Sequence, residues 1–174
     1  MARLGPCMND HVSSVALIGS FRKHYAAVEQ ASSCFVAAGL EVLNPRGKEI
    51  VKTDIPFVRF DSDPSTWSDE MIQTVALHRI LKADFVYVVA PAGYVGRTTC
   101  YEIGRIVQSE HPIYFGERPR DLPLAIPEAH ICRVDAIADR IAKGTFEPQQ
   151  LHLDMTDSIG DLERDLANGH FRDI

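Results

Sequence analysis

Apolar positions along this chain fall into two kinds of run that alternate. Ser14–Ile18, Glu41–Leu43, Phe85–Ala90 and Pro112–Phe115 are short segments that read as strands. Phe85–Ala90 is the strongest, a continuous apolar run of β-branched and aromatic residues, the mark of a parallel strand covered on both faces. Between these runs the apolar positions recur at three and four residues. They are Tyr25, Val28, Ala31, Phe35, Val36 and Ala38, then Ile72, Val75, Ile80 and Leu81, then Tyr101, Ile103, Ile106 and Val107. That spacing predicts helices. Gly39 stands where the first helix needs a C-terminal cap. Ser68 caps the second, with Asp69 and Glu70 in its first turn, and Thr98 and Thr99 are N-cap candidates for the third.

The connections are less regular. Arg46 to Ser68 is long and mixed, with Pro56, Pro64, Asp54, Asp61, Asp63 and an apolar patch at Phe57, Val58 and Phe60. Two readings stand side by side: a lid or pocket wall, or a short edge strand through Val58 and Phe60. A Pro-rich stretch, Glu117 to Pro127, leads to a short possible strand at Ile131–Val134 and a helix from Ala136 to Lys143 closed by Gly144. The tail carries Ser158 with Asp161 three residues on, a capping pattern, and Asn168-Gly169 as a stop; it is a candidate for packing on a partner subunit. Residues 1–12 read as a loose leader, 13–145 as one domain and 146–174 as a tail with a short helix. The strand and helix alternation predicts an α/β, Rossmann-like (flavodoxin-like) fold, a mainly parallel sheet with helices on both faces.

The stretch from Ala83 to Arg105 carries the chemistry. Its strand is stopped by Pro91, Gly93 and Gly96, and the helix that follows holds Glu102 in its predicted first turn. Open α/β sheets bind ligands at the carboxyl ends of their strands, so a glycine loop and a helix start there predict a nucleotide or sugar pocket.

Composition narrows the classes. The chain has 174 residues, 45% of them hydrophobic, enough for one good core. A net charge of -6 argues against a nucleic-acid surface, which needs clustered Lys and Arg. No apolar run approaches the roughly 20 residues of a membrane span, and residues 1–11 lack a signal-peptide core, so the expectation is cytoplasmic. Cys7, Cys34, Cys100 and Cys132 form no close pair, which predicts reduced thiols rather than a zinc knuckle or disulfide frame. Cys100, near a helix start, is the one thiol with a lowered pKa to be expected.

Gly19-Ser20-Phe21-Arg22 after the first strand, Ala83-Asp84 opening the third, and Thr99-Cys100-Tyr101-Glu102-Ile103-Gly104-Arg105 recur in the order of a known family. Over roughly Val15 to Phe115 the chain resembles the nucleoside 2-deoxyribosyltransferase superfamily, and within it the nucleoside 5'-monophosphate N-glycosidases. The resemblance implies N-glycosidic bond cleavage, by hydrolysis or base exchange, with Glu102 as nucleophile at the sugar C1'. Such a bond breaks with positive charge building on the ring, and a carboxylate beneath it stabilises that charge or attacks it. Gly19, Ser20, Phe21, Arg22, Gly93, Gly96, Thr98 and Thr99 are the implied substrate contacts, the helix start being suited to a 5'-phosphate or sugar hydroxyls. The implied partner is a small nucleoside or nucleotide, with no metal or organic cofactor, in a homodimer or larger assembly.

One departure stands out. The family commonly places an aspartate eight residues before the position of Asp84, and this chain has Ala76 there. His78 is the nearest polar residue on that helix, on another face, so proton transfer to the leaving base falls to another group; Asp61, Asp69 and Glu70 are candidates. Other classes remain: a nucleotide-sensing module that binds without turnover, or hydrolysis of a dinucleotide such as NAD. Asp84 reads as structural, Trp67 as the underside of the lid or a base-stacking ring, and His24, His78 and His130 as surface or satisfied histidines.

Overall fold

The computed structural model describes residues 12–47, 50–52 and 58–171. Four strands form a parallel sheet: β1 (Ser14–Gly19), β2 (Glu41–Asn44), β5 (Phe85–Val89) and β6 (Ile113–Phe115), in the order β2-β1-β5-β6. A separate antiparallel pair, β3 (Ile50–Lys52) and β4 (Arg59–Phe60), lies outside it. The described residues also form five α-helices: α1 (Phe21–Ala37), α2 (Asp69–Lys82), α3 (Arg97–Gln108), α4 (Val134–Ala142) and α5 (Ser158–Ala167). The fold is α/β and Rossmann-like, as the alternating pattern predicts. Renumbered within the main sheet, the strand order is 2-1-3-4, the flavodoxin-like sequence.

The buried strands β1 and β5 show why the fold has two cores. Successive side chains point to opposite faces. Ala16, Ile18, Val86 and Val88 pack with Leu77 and Ile80 of α2 and Ile103 and Ile106 of α3. Val15, Leu17, Phe85, Tyr87 and Val89 pack on the other face with Val28, Ala31 and Phe35 of α1 and Ile137 and Ile141 of α4. The start of the sheet is pinned by Asp84, whose Oδ2 accepts from the backbone N–H and hydroxyl of both Ser13 and Ser14. Its role is structural, at the opposite end of the strands from the glycine loops.

Several local expectations are corrected. The turn expected from the sequence at Gly19-Ser20-Phe21-Arg22 is cut short, because Ser20 is the N-cap and Phe21 already opens α1. Ile131–Val134 is not a strand, since Ile131 makes a single parallel bridge to Phe115 and Val134 begins α4. The cap of α5 is Asp157, which accepts from Gly160 N–H, rather than Ser158. Apart from these corrections, Phe146 and Leu151 of the tail lie in the two cores and Gln108 of α3 donates to the Ala167 carbonyl of α5, while Leu153, Ile159, Leu162 and Leu166 stay exposed. Val12 packs on the core, while residues 1–11 of the leader, with Cys7, and Asp54, Pro56 and Phe57 lie outside the described residues. No helix among the described residues is long and apolar enough to cross a membrane.

Candidate active site

A cavity of about 780 Å³ opens where β1 and β5 end, the point at which the strand order reverses. Gly19 and Ser20, with Phe21 and Arg22 in the first turn of α1, form one side. Gly96, Arg97, Thr98 and Thr99 form the next, and Glu102 lies on the floor. Gly19 is required there because a Cβ would stand 2.6 Å from the Val89 carbonyl oxygen. Of the expected contacts only Gly93 falls outside the lining. It is buried with φ +70°, and a Cβ on it would meet the Arg118 carbonyl oxygen at 2.5 Å, so it fits the loop against 118–120 instead of a ligand.

The threonines do not cap α3. Gly96 is its N-cap, and Thr98 and Thr99 are in its first turn. The first bond of the helix is Cys100 N–H to the Gly96 carbonyl, so the amides ahead of it lie at the cavity wall formed by residues 96–99. Glu102 is therefore in the second turn, two or three residues further from the positive helix end than the sequence suggests. Burial wins over any dipole benefit there. The carboxyl is 6% exposed, and loss of solvent pushes its pKa from 4.5 up to about 7, with a hydrogen bond from Gln73 pulling it partly back. Gln73 Nε2 donates to Glu102 Oε1 at 3.0 Å. Cys100 has no lowered pKa: burial raises its thiol, with Asp121 adding to the rise.

The opposite wall comes from β2, the β3–β4 pair and α2. Asn44, Arg46, Val58, Phe60 and Asp63 line it, so the long segment is both pocket wall and short strand. Phe60 meets the Phe21 ring edge to face at 5.5 Å, joining this wall to the first loop. Arg59 fixes the wall to the start of α2 by bonds to Asp69 and the Trp67 carbonyl. Trp67 itself is not in the lining.

On α2, Gln73, Ala76 and Arg79 stand three residues apart on the face toward the cavity. Ala76 is thus in the site, and the missing carboxylate is missing from the lining. Asp61, Asp69 and Glu70 are not among the lining residues, and Asp69 is held by Arg59. The carboxylates in the lining are Asp63 and Glu102. His78 is exposed on another face of α2. His24 sits edge-on to Tyr94, and His130 is buried with Nδ1 against the Ile113 carbonyl. Gln73, Asp63 and Arg79 escaped sequence reasoning. Helical spacing around Ala76 was the available signal for Gln73 and Arg79; nothing local marked Asp63 apart from its acidic neighbours.

Five basic side chains line the same cavity, Arg22, Lys23, Arg46, Arg79 and Arg97, against those two carboxylates. The chain is acidic overall, so this is a local reversal of sign that suits an anionic ligand. Lys23 Nζ lies 3.8 Å from the centroid of the Tyr94 ring, holding that exposed ring at the rim. Among the described residues, no group of three or more His, Cys, Asp or Glu is gathered to hold a metal ion.

The fold and cavity define an α/β protein with a buried glutamate in a cavity at a topological switch point. Beyond that class, no protein-family model, curated protein or solved structure matches the chain.

Proposed function

We propose that this protein cleaves the N-glycosidic bond of a nucleoside 5'-monophosphate, with Glu102 as the nucleophile. The observation that carries this reading is a buried glutamate, tethered by one amide donor, on the floor of a cavity ringed by cations. A carboxylate desolvated in this way is poorly stabilised until a cationic centre forms beside it. The oxocarbenium-like ring of a departing nucleoside is such a centre, so the interaction is strongest in the transition state. Glu102 attacks C1' as the bond to the base nitrogen breaks, and the electron pair leaves with the base. Water then opens the glycosyl ester and supplies the proton the base needs; a second base in place of water gives exchange. The start of α3, with Arg97 in its first turn and Arg22 and Lys23 in the same lining, suits the 5'-phosphate. With the reading come a cytoplasmic, cofactor-free enzyme and a homodimer or larger assembly.

The test is incubation of the protein with nucleosides, their 5'-monophosphates and NAD, with and without a second free base, following base release by chromatography. Release by the wild type that disappears in Glu102→Gln is expected. Undiminished release in the variant overturns the role of Glu102. No release from any of them, with a nucleotide still raising the melting temperature, makes the protein a sensor.

A further inference from the structure

Arg79 and Asp63 form a charged pair in the cavity that the proposed reaction does not use. Asp63 Oδ2 accepts the Phe60 N–H, and Oδ1 faces Arg79 Nη2 at 4.0 Å, beyond hydrogen-bond length. The Arg79 Nε is buried without a hydrogen-bond partner. Both side chains are largely out of solvent, at 19% and 8% exposure for Arg79 and Asp63. Buried opposite charges held this loosely are an unfavourable arrangement, because desolvation is incurred while, among the described residues, Arg79 Nε has no partner and the Nη2–Oδ1 contact is too long for a hydrogen bond. A ligand that donates to the carboxylate and accepts from the guanidinium completes both.

Position supplies the second observation. Gln73, which touches Glu102, and Arg79 are six residues apart on one helix, and both line the cavity with Ala76 between them. Six residues rise about 9 Å. With the sugar C1' over Glu102, that interval leaves room for one heterocycle to lie between the two side chains.

Charge separates this end from the phosphate end. Asp63 repels an anion and offsets one of the two cations at this end, Arg79 and its neighbour Arg46, whereas Arg22, Lys23 and Arg97 share the lining with no carboxylate but Glu102. The Arg79 end therefore fits a neutral group with both a donor and an acceptor.

We infer that Arg79 and Asp63 form the leaving-base subsite and select a base carrying a carbonyl and an exocyclic amine on one edge, the chemistry shared by cytosine and guanine. This rests on the glycosidase reading for the placing of the sugar over Glu102. The carbonyl accepts from Arg79 and the amine donates to Asp63. A dioxo base such as uracil turns a carbonyl oxygen toward the carboxylate, and adenine offers Arg79 no carbonyl. As the C1'–N bond breaks, the pair of electrons moves onto the base, and Arg79 stabilises the charge at the carbonyl where a proton donor at position 76 is lacking.

The experiment measures binding of cytidine, guanosine, uridine and adenosine 5'-monophosphates to the Glu102→Gln protein by calorimetry, and base release from the same four by the wild type. Cytidine or guanosine monophosphate is expected to bind at least about tenfold more tightly than the uridine and adenosine nucleotides, the range of one or two discriminating hydrogen bonds. Adding Asp63→Asn, whose amide both donates and accepts, is expected to bring the cytidine and uridine affinities within about threefold. Adding Arg79→Lys removes the planar fork and is expected to weaken the preferred nucleotide at least about tenfold; it decides the matter if Asp63→Asn fails to fold. Equal binding of all four, no binding of any, or a preference that survives both substitutions overturns the subsite. Preferential binding without base release by the wild type overturns the glycosidase and leaves the subsite standing; indiscriminate release does the reverse.

Discussion

Glu102→Gln removes a charge and changes almost nothing else. The amide oxygen keeps the bond from Gln73 Nε2, and the side chain has the same length and shape. What disappears is the cost of ionising a carboxyl that burial has moved from 4.5 up to about 7. Below pH 4.5 the glutamate is protonated in folded and unfolded chains alike, and the substitution is close to neutral. Between 4.5 and 7 the unfolded chain releases the proton and the folded one keeps it, so the wild type loses stability as pH rises. At about 1.4 kcal/mol per pH unit the loss reaches about 3 kcal/mol above pH 7. The glutamine variant escapes it. In a chain of 174 residues that difference raises the melting temperature by about 6–12 °C. Urea titrations and thermal melts of the two proteins at pH 4.5 and 8.5 read it directly. A variant no more stable than wild type at pH 8.5, or equally stabilised at both values, would refute the account of Glu102 as a desolvated acid.

Further outcomes follow from the same geometry. As a nucleophile Glu102 must be ionised in the free enzyme, so kcat/KM for base release rises with pH through about 7; a profile falling through that range makes it a proton donor instead. Gln73→Ala removes the one hydrogen bond that lowers this pKa, moving the rising limb to higher pH while a far-UV spectrum stays unchanged. Gly93→Ala meets both a φ of +70° and the Arg118 carbonyl oxygen, and is expected to destabilise by about 2–3 kcal/mol in urea titration; a neutral result means the loop yields. Asp84→Ala removes the acceptor for Ser13 and Ser14 and costs about 2 kcal/mol at neutral pH. The hydrogen bonds hold the Asp84 carboxyl below the usual aspartate value against the opposing effect of burial, so its contribution fades as pH falls into the carboxylate range.

The parts legible in the sequence were those set by period. Buried parallel strands announce themselves as unbroken apolar runs, and Phe85 to Val89 needed no other signal. Ser68 was legible too, because an N-cap acts within three residues, here on Met71 N–H. Cap position at α3 was not: two threonines favour capping, yet after the turn at Pro91–Gly93 the helix already starts at Arg97 with Gly96 as its N-cap. That shift of two residues moved Glu102 out of the first turn. The opposing wall was hidden for a different reason. Asp63, Arg79 and Arg46 converge only when the β3–β4 segment folds back toward α2, a long-range event that no local propensity encodes.

The cavity has a floor and a wall of different mechanical standing. Its floor, Glu102 with the ends of β1 and β5, is continuous with the two cores. Its wall is a two-stranded ribbon outside the main sheet, fastened to the body at Arg59 and through the Phe21 and Phe60 rings. Phe60 on that ribbon belongs to neither core, whereas the strand ends of the floor run directly into both. A scaffold divided in this way gives a lineage, or a protein engineer, freedom to exchange the molecule accepted without disturbing the carboxylate beneath it.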